Sequence, residues 1–336
     1  MIRASAPNKL ILCGEHYVVY GAPAISIPTD SRNTVELEET NSDEIVLETN
    51  FGNGSISKDG EFSGQKVIEC LHAVHKYVFS KSKNKKFTGF KAKFHHSGAP
   101  KGMGNSASAA AAFSVALCKL YGIKADKKFL FDATQAGEEI SHGGLPSGID
   151  AATVVEGRPQ IFEKKFNPTK CVMKSVNLVL PHGTCFLVVD TFKNARDTTA
   201  DQIQKFAVAN KIEKPPDKLT SAIRNALFVE YEHIYKGVLA ELKPNGNGAR
   251  LGDLLNKNHE LLRAAGVSTY EIEDARNIAI CKNAYGAKLT GAGGRGGALL
   301  VYCKIRAAKS IVKGLSLGGF RSFETRIGTE GPKLEI

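Results

Sequence analysis

The sequence has no C-x-x-C pair, no internal repeat and no apolar run near the roughly 20 residues that a membrane-spanning helix needs. Each absence removes a class of protein. The seven cysteines (Cys13, Cys70, Cys118, Cys171, Cys185, Cys281 and Cys303) are scattered, mostly within apolar runs. They are expected as reduced core residues, not as a disulfide framework or zinc ligands. The first apolar stretch, residues 10–13, lies among Arg3, Lys9 and Glu15 and is too short for a signal-peptide core. The expectation is a soluble cytoplasmic protein with no membrane partner.

Two further patterns are missing. Forty-five Lys and Arg against 34 Asp and Glu give a net charge of +11, yet the basic residues are dispersed. Their one cluster, residues 81–86, lacks the interleaved aromatics that stack bases. Nucleic acid is therefore not an expected partner, and the excess charge suits a small polyanion such as ATP. No G-K-[ST] closes a glycine loop, so the P-loop is excluded. The run Gly102-Met-Gly104-Asn-Ser-Ala107 matches G-x-G-x-x-[GA]. A dinucleotide fold would also need a strand ending in an acid about 20 residues on, and Asp126 has that spacing without the strand.

What is present fits about two domains, given 336 residues. Strand patterns occupy residues 2–12, 34–37, 44–47, 90–94, 160–163, 184–189, 298–305 and 320–327, with 34–37 and 44–47 read as antiparallel strands. Helical spacing marks 65–79, 106–121, 127–141, 219–242, 251–265, 272–284 and 307–315, the segment 272–284 leading into a second glycine-rich loop. Strands and helices mix without strict βαβ alternation, which predicts an α+β fold, divided at residues 1–175 and 176–336.

Three segments carry chemistry. Residues 98–108 form a glycine loop that follows a strand and opens a helix, where free backbone N–H groups and the helix dipole favour a phosphate. Its candidates are Lys101, Gly102, Met103, Gly104, Asn105, Ser106, Ala107 and Ser108, with the Ser106 hydroxyl offered to a magnesium ion. The second loop has five glycines within residues 291–297, a composition that close backbone approach would justify. The third segment runs from Glu138 to Asp150. Glu138 and Glu139 lie near a helix C-terminus, whose negative pole disfavours carboxylates, and a metal would offset that penalty. Asp150 follows Pro146-Ser-Gly-Ile in a short loop and is a candidate cleft carboxylate, with helix capping as the alternative. Lys9 interrupts an apolar strand, where burial requires a partner, and pairing with Asp150 would supply one.

Together these segments resemble the GHMP kinase superfamily and, within it, the mevalonate kinase branch. The resemblance rests on Ala6-Pro-Asn-Lys9 through Gly-Glu15-His16-Tyr-Val-Val-Tyr-Gly21, on residues 98–108, on His142-Gly followed by Pro146-Ser-Gly-Ile-Asp150, and on Lys288-Leu-Thr290-Gly-Ala-Gly, with Arg196-Asp-Thr198 as a further element. It implies a ribosomal protein S5 domain 2-like N-terminal domain and a ferredoxin-like C-terminal domain with the site between them. It also implies ATP and Mg2+ as cofactors and phosphorylation of mevalonate on its 5-hydroxyl. Asp150 would be the base and Lys9 its partner, and Ser106 with Glu138 would hold the metal. Glu15, His16, Thr290, Gly291 and Ala292 would lie on the substrate side, Thr290 facing the transferred phosphoryl. A homodimer is compatible with the resemblance.

Three departures stand out. Asn105 replaces a serine and would present an amide to phosphate. The segment from His142 to Asp150 is one residue longer than usual, which sets Glu138 against Glu139 as the metal ligand, Glu138 being preferred. Arg295 stands where glycine is usual and is expected to point outward. Alternative readings are a phosphomevalonate kinase, for which Arg295 would be the extra basic group, or another small-molecule kinase of the superfamily. A non-catalytic sensor on the same fold would be expected to lose Lys9 or Asp150, and both are present.

Overall fold

The computed structural model describes residues 1–83, 86–144, 146–192 and 197–335. The chain begins with β1 (Ile2–Cys13), a 3-10 turn (Tyr17–Tyr20) and β2 (Ala24–Glu39), then β3 (Glu44–Thr49), β4 (Gly52–Ser57) and β5 (Phe62–Gly64). Next come α1 (Glu69–Ser80), β6 (Phe90–His95), α2 (Asn105–Leu120), α3 (Lys127–Ser141), α4 (Ile149–Glu156), β7 (Gln160–Lys165) and β8 (Lys170–Ser175). The second half holds β9 (Thr184–Asp190), α5 (Thr199–Ala209), α6 (Ser221–Glu241), α7 (Gly248–Ala264), α8 (Tyr270–Cys281), β10 (Gly286–Thr290), β11 (Ala298–Lys304), α9 (Ile305–Leu317), β12 (Arg321–Thr325) and β13 (Lys333–Leu334).

Two sheets organise these elements. The larger runs β13-β1-β2-β6-β3-β4-β5, with β7 and β8 extending from β2. Alternation in β6 buries Phe90, Ala92 and Phe94 and exposes Lys91, Lys93 and His95, the period of a sheet covered on one face. The buried residues of β6 pack with those of α1 and α2 in one core. The smaller sheet is antiparallel in the order β10-β11-β9-β12. Read along the chain as strand, helices, two strands, helix and strand, that order is the ferredoxin-like arrangement, with several helices in the first connection. A second core continues from Leu10, Leu12 and Ile25 of the first half into β9 and β11, so the halves meet through apolar packing at β1 and β2.

Several expectations need correction. The strands around residues 34–37 and 44–47 run antiparallel as expected but are not neighbours, because β6 lies between them, antiparallel to β2 and parallel to β3. A buried strand, β10, stands between α8 and the second glycine loop. Asp150 lies in the first turn of α4, not in a loop. Five of the cysteines are buried and Cys171 is partly so, but Cys281 at the end of α8 is exposed; all seven are free. Among the described residues no helix is long and apolar enough to cross a membrane.

Candidate active site

Lys9 sits where the pairing of β1 with β2 slips, between Pro7 and Lys9, and its side chain is only 2% exposed. Burying an ammonium requires partners, and two are present: Asp150 Oδ1 at 3.1 Å and the Gly102 carbonyl at 3.2 Å. The Lys9 amide also donates to the Met103 carbonyl at 2.9 Å, so the strand grips the phosphate loop through side chain and backbone. Gly104 makes room for this contact. It has φ +66°, and a Cβ there would stand 2.8 Å from Lys9 Cγ. Asp150 is held at the start of α4 behind Gly148, at the positive end of the helix dipole.

Glu138 and Glu139 occupy the last turn of α3 with opposite surroundings: Glu138 is buried and Glu139 is exposed. Burial pushes the Glu138 carboxyl above its usual range. His142 opposes the shift, Asp150 adds to it, and the nearby Ser106 hydroxyl and Lys9 oppose it further. Neither Glu138 oxygen has a hydrogen-bond partner, although His142 Nδ1 stands 3.5 Å from its Oε2. Ligand atoms of Glu138, His142 and Asp150 lie within 4.8 Å of one another. Orphaned carboxylate oxygens beside a second carboxylate and a hydroxyl suit a hard, oxygen-seeking cation such as Mg2+.

The phosphate loop offers mainly its backbone. Met103 and Ala107 are buried in the two cores, and the Ser108 hydroxyl donates to the Ala6 carbonyl at 2.8 Å. Asn105 borders the cleft, but its amide is engaged inside the loop. Its Nδ2 donates to the Ala99 and Pro100 carbonyls at 3.0 Å each, and its Oδ1 accepts from Asn8 at 2.7 Å, so it braces the loop from within. Ser106 reaches the cleft. Lys101 donates to the Asp197 carbonyl. The two glycine loops touch: a Cβ on Gly291 would lie 2.6 Å from Gly102 Cα.

On the other wall, the Thr290 hydroxyl accepts from the Ile11 amide at 3.2 Å and donates to the Ile11 carbonyl at 3.1 Å. Fully buried, it clamps β10 to β1 and does not face the cleft as expected, whereas Gly291 and Ala292 do line it. Glu15 is buried and paired with Lys288 of β10. His16, at φ +63°, bonds the Ala292 carbonyl through Nε2 at 2.9 Å and stacks on Phe206. Burial lowers its pKa to about 4. The cleft encloses about 550 Å³ and reaches Ile11, Val18, Val19, Ile149 and Ile203, an apolar wall ending in Thr199 and His16.

Arg295 points outward, its side chain 60% exposed, and pairs through Nε with Asp197 Oδ1 at 2.8 Å. The same carboxylate accepts from the Arg295 amide at 3.0 Å, and that bond leads the influences that hold Asp197 below the usual carboxylate range. Arg196 of the R-x-T element lies outside the described residues. The sequence motifs include Lys288 and Asp197 without giving either a role, and the α5 residues Thr199 and Ile203 were missed. Lys288 carried a usable signal, being a lysine in an apolar strand just as Lys9 is.

Several known proteins are similar to this chain. The GHMP kinases N terminal domain matches residues 66–158 and the GHMP kinases C terminal domain matches residues 238–315. The mevalonate kinase of Pyrococcus furiosus is 30% identical, the match covering 99% of this chain and 98% of the relative. That of Methanocaldococcus jannaschii is also 30% identical, over 96% and 98%. The crystal structure of the Methanococcus jannaschii mevalonate kinase superposes with a TM-score of 0.73 at 25% identity, over 97% of this chain and 98% of that one. With both domain models matched and full-length relatives at this identity, the chain belongs to the GHMP kinase family.

Proposed function

We propose that this GHMP kinase phosphorylates mevalonate on its 5-hydroxyl at the expense of ATP, as an early step of isoprenoid precursor synthesis in the cytoplasm. The observation that carries the reading is the pairing of buried Lys9 with half-buried Asp150, set between the phosphate loop and the buried Glu138 carboxylate, whose oxygens accept no hydrogen bond. Asp150 accepts the proton of the attacking hydroxyl. Lys9 holds that carboxylate in place and favours the developing alkoxide electrostatically. The backbone N–H groups at the start of α2 cradle the phosphates. Phe51, Val67, Ile68, Leu71 and Ile140 form an apolar end of the same cleft, where a purine ring would fit. Ser106 and Glu138 would hold Mg2+, which supplies charge neutralisation to the transferring phosphoryl group.

On the acceptor side, Glu15, His16 and Ala292 present polar groups beside the apolar wall. Arg295, the basic group that a phosphorylated acceptor would call on, is engaged by Asp197 outside the cleft. We place the domain boundary just after β8, near residue 175, with β13 returning to the first sheet. The test is ATP-dependent phosphorylation of mevalonate, phosphomevalonate, homoserine and galactose side by side, with the product's phosphate position read by phosphorus NMR. Mevalonate should be turned over best and carry the phosphate on C5; a better turnover of any other acceptor would overturn the reading.

A further inference from the structure

Lys288 and Glu15 are fully buried, and their ion pair joins β10 of the second half to the exit of β1 in the first. The Lys288 ammonium is saturated: it donates to Glu15 Oε1, to the Leu289 carbonyl at 2.6 Å and to the Ile11 carbonyl at 3.5 Å. Glu15 is not. Its Oε2 is buried without a partner, although Glu15 lines the cleft. A buried pair of this kind is a poor device for stability alone, because well-packed apolar residues of similar volume usually do as well. The backbone beside it is strained at His16, and the position before Glu15 admits only glycine. Gly14 has φ +109° with Ala24 Cβ only 2.4 Å from where its own Cβ would stand, and His16 has φ +63°. Such backbone persists where the surroundings force it, and it is found most often at working sites.

We propose that Lys288 is a positioning residue for the acceptor side of the cleft, holding the Glu15 carboxylate ionised so that its free oxygen accepts a hydrogen bond from the alcohol substrate. Lys288 touches neither substrate; it acts through Glu15 and, by fixing the exit of β1, through His16. The inference rests on the phosphotransfer reading above. Burial raises the Glu15 pKa and Lys288 is the foremost influence against it. The other groups facing this carboxylate are Lys9 and Cys13 of β1, Tyr17 of the 3-10 turn and Tyr231 of α6, while His259 of α7 lies near the lysine. None of these replaces the ammonium that is in contact. Without it the carboxyl should take up a proton at higher pH.

The experiment compares Lys288→Met, Lys288→Arg and Glu15→Gln with the parent full-length enzyme. It reads KM for ATP and for mevalonate, and kcat/KM for mevalonate from pH 5 to 9, with folding checked by circular dichroism. For Lys288→Met we expect a mevalonate KM at least about tenfold higher and an ATP KM within about threefold of the parent. Its acid limb should move up by about one pH unit or more. Lys288→Arg should recover part of both effects, which a loss of packing alone would not allow. A folded Lys288→Met enzyme with the parent's mevalonate KM and acid limb overturns the proposal. If Lys288→Met does not fold, Glu15→Gln decides: it keeps the ammonium, and an unchanged mevalonate KM in that variant overturns the proposal equally. If the parent ignores mevalonate, the functional reading fails separately, and the same comparison is made with the alcohol it does phosphorylate.

Discussion

Glu138 and Glu139 are neighbours on one helix, yet only Glu138 points into the site. Glu138→Gln should raise the Mg2+ concentration needed for half-maximal turnover by about tenfold or more, and Glu139→Gln by less than about twofold. Titrating each variant with Mg2+ at saturating ATP checks this, and the reverse order would place the extra loop residue inside the helix. At the same scale, Lys9 could be read from the sequence because a charge in an apolar strand demands a partner, and Asp150 was the acid offered by the nearby motif. Lys288 obeys the same rule but was given no role, because its partner Glu15 lies 273 residues away in the turn after β1. Hydroxyls and amides were the hardest to read. Ser108, Asn105 and Thr290 are all in motif positions, but each spends its polar atoms on neighbouring backbone or side chains, a choice fixed only by packing.

The helices α2, α3, α6 and α7 were legible because each carries enough apolar periodicity for several turns. The short α4, behind an αL glycine, and α5, opened by a Thr198–Asp201 capping box, were not, since local capping outweighed periodicity there. The loop before α2 gives a direct test. A methyl at Gly104 meets Lys9, whereas one at Gly122, with a similar φ of +65°, meets nothing within 4 Å. Both alanine variants should lose about 1 to 2 kcal/mol from the left-handed backbone. Only Gly104→Ala should also lose turnover, by about tenfold or more, which denaturant unfolding and steady-state kinetics would separate; equal activity in the two would remove Gly104 from the positioning of Lys9. Arg295→Gly, in the second glycine loop, removes an exposed ion pair worth at most about 1 kcal/mol. The KM values for ATP and mevalonate should stay within about threefold of the parent, and a tenfold loss in either would show that the guanidinium reaches the ligands. In α1, His75 is buried against Tyr121 with its pKa lowered to about 4. The unfolded chain therefore binds the proton first as pH falls, and stability declines from about pH 6.5 toward 4. Between pH 7.5 and 5 the loss from this residue is about 2 kcal/mol. Urea unfolding of His75→Phe should show a shallower decline with pH than the parent; an equal slope would mean that His75 does not titrate as described.

At the scale of the whole molecule, two sheets of different topology share one apolar seam, and the cleft opens where that seam meets both glycine loops. The mixed α+β class followed from the pattern of elements, and the two-domain fold followed from the family resemblance. The strand order could not be read from local pattern, because it depends on which edges remain free once β1 and β9 have found partners. The cleft brings Lys9 and Asp150 from the first half against the second glycine loop and α5 from the second, so the account stands or falls on Asp150. Asp150→Asn keeps the size and the helix position of the side chain but removes the base. The decisive measurement is single-turnover transfer from radiolabelled ATP to the mevalonate 5-hydroxyl, made alongside the ATP dissociation constant of each protein. The account predicts a dissociation constant within about threefold of the parent and a transfer rate lower by about 10² to 10⁴-fold. Transfer within a few-fold of the parent would contradict it and reduce the Lys9–Asp150 pair to a structural bond.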